Sequence, residues 1–337
     1  MPRKVKWGIL GVASLVRRRV MPGLAQCEHT EVTAIASRSL EKAQTYAAEA
    51  HIPKAYGSYE ELLADPEIEV IYNPLPNHLH VPWSIKAARK GKHVLCEKPL
   101  SLTVAEARQL LEVRDEHNVK IAEAFMVRTH PQWQRTEELV RTGRIGKLRS
   151  ALGYFSYYSV DPANTRNIKE YGGGGLYDIG CYPIKTTRFV FGEEPVRVFG
   201  CIERDPSFKT DRLTSAILEY PSGQAIFTCS TQNLYYQRMQ FLGTKGRIDV
   251  EIPFNAPTDR PTRIFIDDGK DLFGAGLGTE TFPVCNQFTI QADLFSVAVR
   301  EHKEVVNPLE DAICNMAVIE AVFRSADSGK WEIPEQL

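Results

Sequence analysis

The sequence predicts an α/β chain of two domains, a doubly wound parallel sheet followed by an α+β domain built on a large open antiparallel sheet. Three observations carry this prediction. Up to about residue 125, short apolar runs alternate with amphipathic segments, the pattern of βαβ units. From about Lys147 the texture changes to longer, aromatic-rich alternating stretches separated by turns, which suits antiparallel strands with one wet face. A length of 337 residues exceeds one ordinary core and suits two. The domains are drawn at 1–125 and 126–337.

In the first domain, residues 4–10, 31–37, 69–73, 92–97 and 119–125 read as strands. Ser58 with Glu61 and Thr103 with Glu106 form capping-box patterns, and Gly91 closes a helix from about His78 to Lys90. The apolar stretch at residues 7–16 copies a signal peptide only superficially. Arg17, Arg18 and Arg19 follow it where small cleavage-site residues belong, so it reads as a core strand and turn.

In the second domain the strands are residues 149–159, 196–204, 212–220, 223–232, 236–243 and 246–252, joined by turns such as 220–223 and 243–246. Helical patterns cover about 176–191, 287–302 and 309–328, the last stopped by Gly329. Residues 254–261 and 274–278 read as loops.

Hydrophobic residues make up 43% and charged residues 25%, which is globular rather than disordered. Lys plus Arg is 41 against 42 for Asp plus Glu, so the chain lacks the broad positive field of a nucleic-acid or anionic-membrane binder. No apolar run approaches the ~20 residues of a membrane helix. Seven scattered cysteines without a CxxC pair fit buried free thiols in a reducing compartment, hence a soluble cytoplasmic protein.

Gly11 follows the first strand at the place of a GxGxxG dinucleotide fingerprint. The match is partial, because Ala13 stands for the second glycine and Val16 for the third small residue. Gly11, Ala13, Ser14 and Leu15 are therefore candidate cofactor residues, with the following helix N-terminus offering NH groups to phosphate. An ordinary βα turn is the alternative. After the second strand stand Ser37 and Arg38 rather than an acid. A hydroxyl and a guanidinium suit a 2′-phosphate, so NADP is expected ahead of NAD. Arg38 as a solvated residue before a helix is the competing reading, and the Arg17–Arg19 run reads as an exposed helix face.

Three further motifs stand at residues 72–80 (YNPLPNHLH), 91–100 (GKHVLCEKPL) and 172–182 (GGGGLYDIGCY). With the AFMVRTHP segment at 124–131, they resemble the Gfo/Idh/MocA oxidoreductase family over essentially the whole chain. The resemblance implies an N-terminal Rossmann domain and a C-terminal open sheet that carries substrate on one side and an oligomer partner on the other. It implies that Leu75, Pro76, Asn77 and His80 line the dinucleotide path, that Glu97 and Lys98 sit near nicotinamide and substrate, and that Asp178 and Tyr182 close the site. It also implies that Pro99 holds Lys98, often through a cis peptide. Tyr182 replaces the histidine common at that position, which is similar to the subgroup of glucose-fructose oxidoreductases, xylose dehydrogenases and dimeric dihydrodiol dehydrogenases.

These residue types suit alcohol oxidation, which needs a base for the hydroxyl proton while hydride goes to nicotinamide. Tyr182 is the candidate acid/base. Bringing a phenol from about 10 to neutral requires about 4 kcal/mol of preferential phenolate stabilisation. Lys98 at ~4 Å supplies on the order of 4 kcal/mol at an effective dielectric near 20, before its own desolvation. Asp178, four residues before Tyr182, shares its helix face and is assigned to substrate positioning. The competing structural readings are a helix-opening carboxylate for Asp178 and a packed aromatic for Tyr182.

The glycines at 172–175 suggest close backbone approach or a mobile entry loop. Of the aromatics at 154–158, Tyr154 is the candidate to stack on substrate, against a plain role in the sheet core. His78 and His80 have HxH spacing, but no further ligands complete a metal site, and none is expected. Arg128 is a cofactor-side candidate, with a structural salt bridge as its alternative.

The expected activity is hydride transfer between NADP and a cyclic sugar or polyol, with an aldose such as D-xylose, oxidised at C1, as first candidate. A trans-dihydrodiol dehydrogenase or anhydro-sugar reductase is the enzymatic alternative, and a non-catalytic NADP-binding sensor the alternative of another class. A homo-oligomer, dimer or tetramer, is expected through the C-terminal sheet.

Overall fold

The computed structural model describes residues 3–337. The chain forms two units, one running to Met126 and including Asn286–Ile313, the other comprising Val127–Cys285 and Cys314–Leu337.

The first unit holds six strands, β1 (Val5–Leu10), β2 (Thr30–Ala36), β3 (Lys54–Tyr56), β4 (Val70–Asn73), β5 (His93–Glu97) and β6 (Ile121–Ala124). They pair in parallel in the order β3-β2-β1-β4-β5-β6. Sequence order reverses at β1, and in such sheets ligands bind at the carboxyl ends of the strands beside that switch point. Apart from the short edge strand β3, the strands are largely buried, as suits a parallel sheet covered on both faces. Ser58 and Thr103 cap their helices as expected, accepting from Glu61 N at 3.2 Å and Glu106 N at 3.1 Å, contacts worth about 1 kcal/mol each.

Residues 286–313 return to this unit, although the sequence reading assigned them to the second domain. The contacts that hold them join residues far apart in sequence. Trp7 Nε1 donates to Ser296 Oγ at 2.9 Å, its ring meets Phe295 edge-on at 5.9 Å, and Asp293 accepts from the backbone of Glu28 and His29.

The second unit is built on eight strands: β7 (Leu148–Tyr158), β8 (Arg197–Arg204), β9 (Asp211–Glu219), β10 (Gln224–Ser230), β11 (Gln232–Gly243), β12 (Arg247–Val250), β13 (Thr262–Asp267) and β14 (Leu277–Phe282). Their order is β14-β13-β12-β11-β7-β10-β9-β8. The sheet is mostly antiparallel, with one parallel pair, β7 with β10. Alternation along each strand divides the two faces. Across the sheet, Val198, Leu218, Ala225, Ala151, Phe241, Ile248 and Ile266 line up in register and are all buried. One residue further on, Ile226 and Leu152 pair on the opposite face and stay exposed.

The expected strands and helices are present. Missed were β3, β13, β14 and the helix Pro131–Arg141. That helix has Pro131 at its first position and His130 Nδ1 accepting from Gln132 N, a capping signal readable in principle. The stretch expected as one helix from 176 is a π-helical turn, Leu176–Gly180, leading into the α-helix Cys181–Phe191. Four cysteines are buried as expected, but Cys201 is exposed and Cys285 and Cys314 are intermediate. Among the described residues, no helix is long and apolar enough to cross a membrane.

Candidate active site

In the first unit, the candidate cofactor residues gather along one edge of the sheet. Ser37 and Arg38 follow β2, Gly11 to Leu15 follow β1, Leu75 to Asn77 follow β4, and Lys98 follows β5. From β2 to β5 is three strand spacings, roughly 14 Å, a span suited to an extended dinucleotide. Gly11 adopts φ +89° and its NH donates to Ala36 O at 2.7 Å. A Cβ there would lie 3.4 Å from Leu75 Cδ2 and 3.6 Å from the Tyr59 hydroxyl, so two side chains already close over this turn. Arg38 is exposed and acts electrostatically on the Tyr59 phenol. Such a glycine turn beside a cation and two hydroxyls fits a dinucleotide phosphate. Arg17, Arg18 and Arg19 are exposed, with Arg17 paired to Glu49 at 2.7 Å.

Behind Lys98 the peptide to Pro99 is cis, as the resemblance implies. Two expected lining residues prove to be braces. His80 is buried, with Nδ1 2.7 Å from Pro99 O and Nε2 2.7 Å from Leu75 O, so it ties the loop after β4 to the turn after β5. Burial pushes its imidazole down to about 4, outweighing the two carbonyls that favour the charged ring. Glu97 is also buried, takes a short hydrogen bond from the Tyr72 hydroxyl, and accepts from Lys98 N at 3.2 Å. Its carboxyl is pushed up by burial. Both side chains are drawn inward because backbone carbonyls and a buried phenol there demand partners.

In the second unit, Tyr182 is buried one residue into the helix Cys181–Phe191, its ring 5.5 Å from Phe155 and 5.2 Å from Phe254. Asp178 lies on the preceding π-helical turn. Its Oδ2 accepts two hydrogen bonds, from the Tyr157 hydroxyl at 2.7 Å and from Arg166 Nε at 2.7 Å. Asp178 holds the Arg166 guanidinium well above its usual range, and burial with Asp178 does the same to the Tyr157 phenol, keeping it a neutral donor.

The glycine run explains how these parts meet. The Gly174 NH donates to Arg166 O at 2.9 Å, and a Cβ on Gly173 would lie 2.5 Å from that same oxygen. On the other side, buried Asp211 of β9 accepts from Leu176 N at 2.5 Å and Thr214 Oγ1 at 3.2 Å. Burial pushes its carboxyl up to about 6. The run is therefore a close-packed junction.

Tyr154 is not brought to this cluster. It sits on the opposite face of β7, where its hydroxyl accepts from Asn233 Nδ2 at 2.8 Å and its ring meets Tyr236. Alternation gives Phe155 and Tyr157 to the face of Tyr182 and Asp178. Arg128 lays its guanidinium 3.3 Å over the Phe189 ring. Tyr59, Tyr157, Arg166 and Asp211 were missed. A parity argument could have found Tyr157 once the buried face of β7 was known, whereas nothing periodic marks Arg166.

A dinucleotide-binding Rossmann unit with a second, open-sheet unit bearing a buried tyrosine and a fixed carboxylate defines an NAD(P)-dependent oxidoreductase. The chain belongs to the Gfo/Idh/MocA family. Residues 5–125 match the family described as an oxidoreductase family with an NAD-binding Rossmann fold, and residues 133–249 match the GFO/IDH/MocA C-terminal domain. It is 44% identical to an uncharacterized oxidoreductase of Rhizobium meliloti over 97% of this chain and 98% of that one. It is 35% identical to a D-xylose 1-dehydrogenase (NADP(+)) of Haloferax volcanii over 96% of this chain and 98% of that one. Among solved structures, KijD10, a 3-ketoreductase from Actinomadura kijaniata in complex with NADP and TDP-benzene, superposes with a TM-score of 0.89. The identity is 27%, over 96% of this chain and 98% of that one.

Proposed function

We propose that this protein is an NADP-preferring dehydrogenase, with NAD as the second cofactor, that oxidises a CH–OH group of a small cyclic polyol. An aldose such as D-xylose, oxidised at C1 to its lactone, is the first candidate. The observation that carries this reading is Asp178, pinned by Tyr157 and Arg166 one helical turn before Tyr182. A fixed carboxylate beside a phenol suits a substrate with adjacent hydroxyls, one to be held and one to lose its proton. The D-xylose dehydrogenase of Haloferax volcanii, similar along nearly the whole chain, supports the same substrate class.

Gly11, Ala13, Ser14, Leu15, Leu75, Pro76 and Asn77 would hold the dinucleotide, with Ser37 and Arg38 toward a 2′-phosphate and Arg128 a further contact. Nicotinamide, when bound, accepts or returns the hydride. Tyr182 takes the hydroxyl proton as the C–H bond breaks, and Lys98 lowers the cost of the phenolate. Asp178 orients the substrate by accepting from a neighbouring hydroxyl.

The aromatic walls of Phe155 and Phe254 at Tyr182 favour a second reading, a trans-dihydrodiol dehydrogenase. We assign the exposed sheet face bearing Leu152 and Ile226 to a homo-oligomer contact, since an apolar patch on an open sheet calls for cover, and place the enzyme in the cytoplasm.

The test is NADP reduction by the purified protein across a panel of aldoses and trans-dihydrodiols. Turnover with aldoses at least ~10-fold above diols in kcat/KM supports the first reading. Turnover of diols alone supports the second, and cofactor binding without turnover on any member overturns both.

A further inference from the structure

The reading of Tyr182 as acid/base leaves a difficulty. A carboxylate four residues earlier on the same helical face opposes ionisation of the phenol. The second unit contains the answer within itself. Arg166 comes from the loop before the glycine run, and its Nε reaches Asp178 Oδ2 at 2.7 Å. The loop is fixed by backbone contacts, Gly174 N to Arg166 O at 2.9 Å and Gly173 N to Ile168 O at 3.0 Å. The Asn164 side chain also accepts from Arg166 N at 3.1 Å. Tyr157 adds a neutral donor to the same carboxylate oxygen. The loop contacts are to the main chain and hold the loop itself, so the Arg166 guanidinium reaches from a fixed point to a carboxylate that is mostly covered, with 14% of its side chain exposed.

We infer that Arg166 is a positioning residue of this enzyme: it cancels the charge of Asp178 and fixes its carboxylate, so that Tyr182 on the same helical face can give up its proton. This rests on the reading of Tyr182 above. The guanidinium also acts directly on the Tyr182 phenol, since the two interact electrostatically. Where the reading above has one cation, Lys98, making phenolate affordable, this adds a second from the domain that carries the tyrosine.

Other groups around Tyr182 must be told apart in any titration. On its own helix stand Cys181 and Lys185. From the sheet come Tyr157 on β7, Asp211 on β9 and Cys229 on β10. Phe155 and Phe254 pack on the ring and carry no charge. Burial holds Tyr157 and Cys229 far above neutral and raises the Asp211 carboxyl to about 6, a range in which its ionisation overlaps. Its carboxylate has no tyrosinate absorbance, so an optical titration separates the two.

The experiment is a tyrosinate absorbance titration of the full-length protein, taken as wild type minus Tyr182→Phe, together with pH profiles of kcat/KM. Arg166→Gln should raise the Tyr182 midpoint by about one pH unit or more and move the kcat/KM profile with it. It should lower kcat more than it raises KM, by on the order of 10-fold or more at neutral pH. Arg166→Lys, which keeps the charge, should recover most of the midpoint. Asp178→Asn leaves the arginine uncompensated and should move the midpoint down, which keeps the inference testable if Arg166→Gln does not fold. An unmoved midpoint in a folded Arg166→Gln, or no downward shift in Asp178→Asn, overturns it. If instead Tyr182→Phe retains turnover, the reading of Tyr182 itself fails, whatever Arg166 does.

Discussion

Asp211 occupies the space that any side chain on Gly174 would need: a Cβ at that glycine would lie 1.9 Å from Asp211 Oδ1. Gly174 also has φ +120°, where L side chains are strained. Gly174→Ala should therefore destabilise the protein by about 3 kcal/mol or more and cut turnover. Gly192→Ala is the control, because Gly192 has φ +66° but open space around it, and should cost only about 1 kcal/mol. Denaturant melts of the two variants check the contrast.

The Asp211 carboxyl, raised to about 6 from its ordinary 3.8, binds a proton more readily in the folded state than in the unfolded one. Between these two values the native state holds more protons, so this group's contribution to stability falls as pH rises through the window. Asp211→Asn removes that penalty. Relative to wild type, its melting temperature should rise by about 5 °C between pH 4 and pH 7.5. A difference independent of pH contradicts the assignment.

His80 has the opposite sign. Its pKa of about 4 lies below the unfolded value, so the unfolded chain binds more protons and stability is lost as pH falls from about 6.5 toward 4. His93 and His130, also pushed down to about 4 by burial, act the same way. His80→Gln should flatten this acid slope without abolishing it, cost about 2 kcal/mol at neutral pH, and weaken dinucleotide binding by loosening the loop at Leu75. Melts at pH 5 and pH 7 and a cofactor titration give the three readouts.

Arg38 carries the cofactor preference. Arg38→Ala should raise the KM for NADP about 10-fold or more, with that for NAD within about 2-fold, because the lost charge-assisted bonds go to the 2′-phosphate alone. Equal losses for both cofactors would make Arg38 a general contributor to folding or binding.

Much of this was legible in the chain. The parallel half was readable because strands buried on both faces carry continuous apolar runs, as at residues 70–72. Gly11, Ser37 and Lys98 could be placed because each follows such a strand. The edge strand β14 was missed because Leu277–Phe282 is largely solvated and carries a weak apolar signal. Tyr154 was chosen over Tyr157 because alternation gives two faces without saying which is buried; only the packing of Phe155 on Tyr182 decides. Arg166 and Asp211 act through contacts with the glycine run across the tertiary fold, so no local pattern announces them. His80 and Glu97 were found as motif members, but their inward orientation depends on carbonyls and a phenol supplied by other segments.

The central claim is that the Tyr182 hydroxyl moves the substrate proton. It is tested most directly by Tyr182→Phe, which keeps the ring between Phe155 and Phe254 and removes only the oxygen. NADPH affinity should stay within about 2-fold of wild type, while single-turnover oxidation of the preferred aldose or diol falls by about 10²–10⁴-fold. A phenylalanine variant that binds cofactor normally and turns over within about 10-fold of wild type would contradict the account.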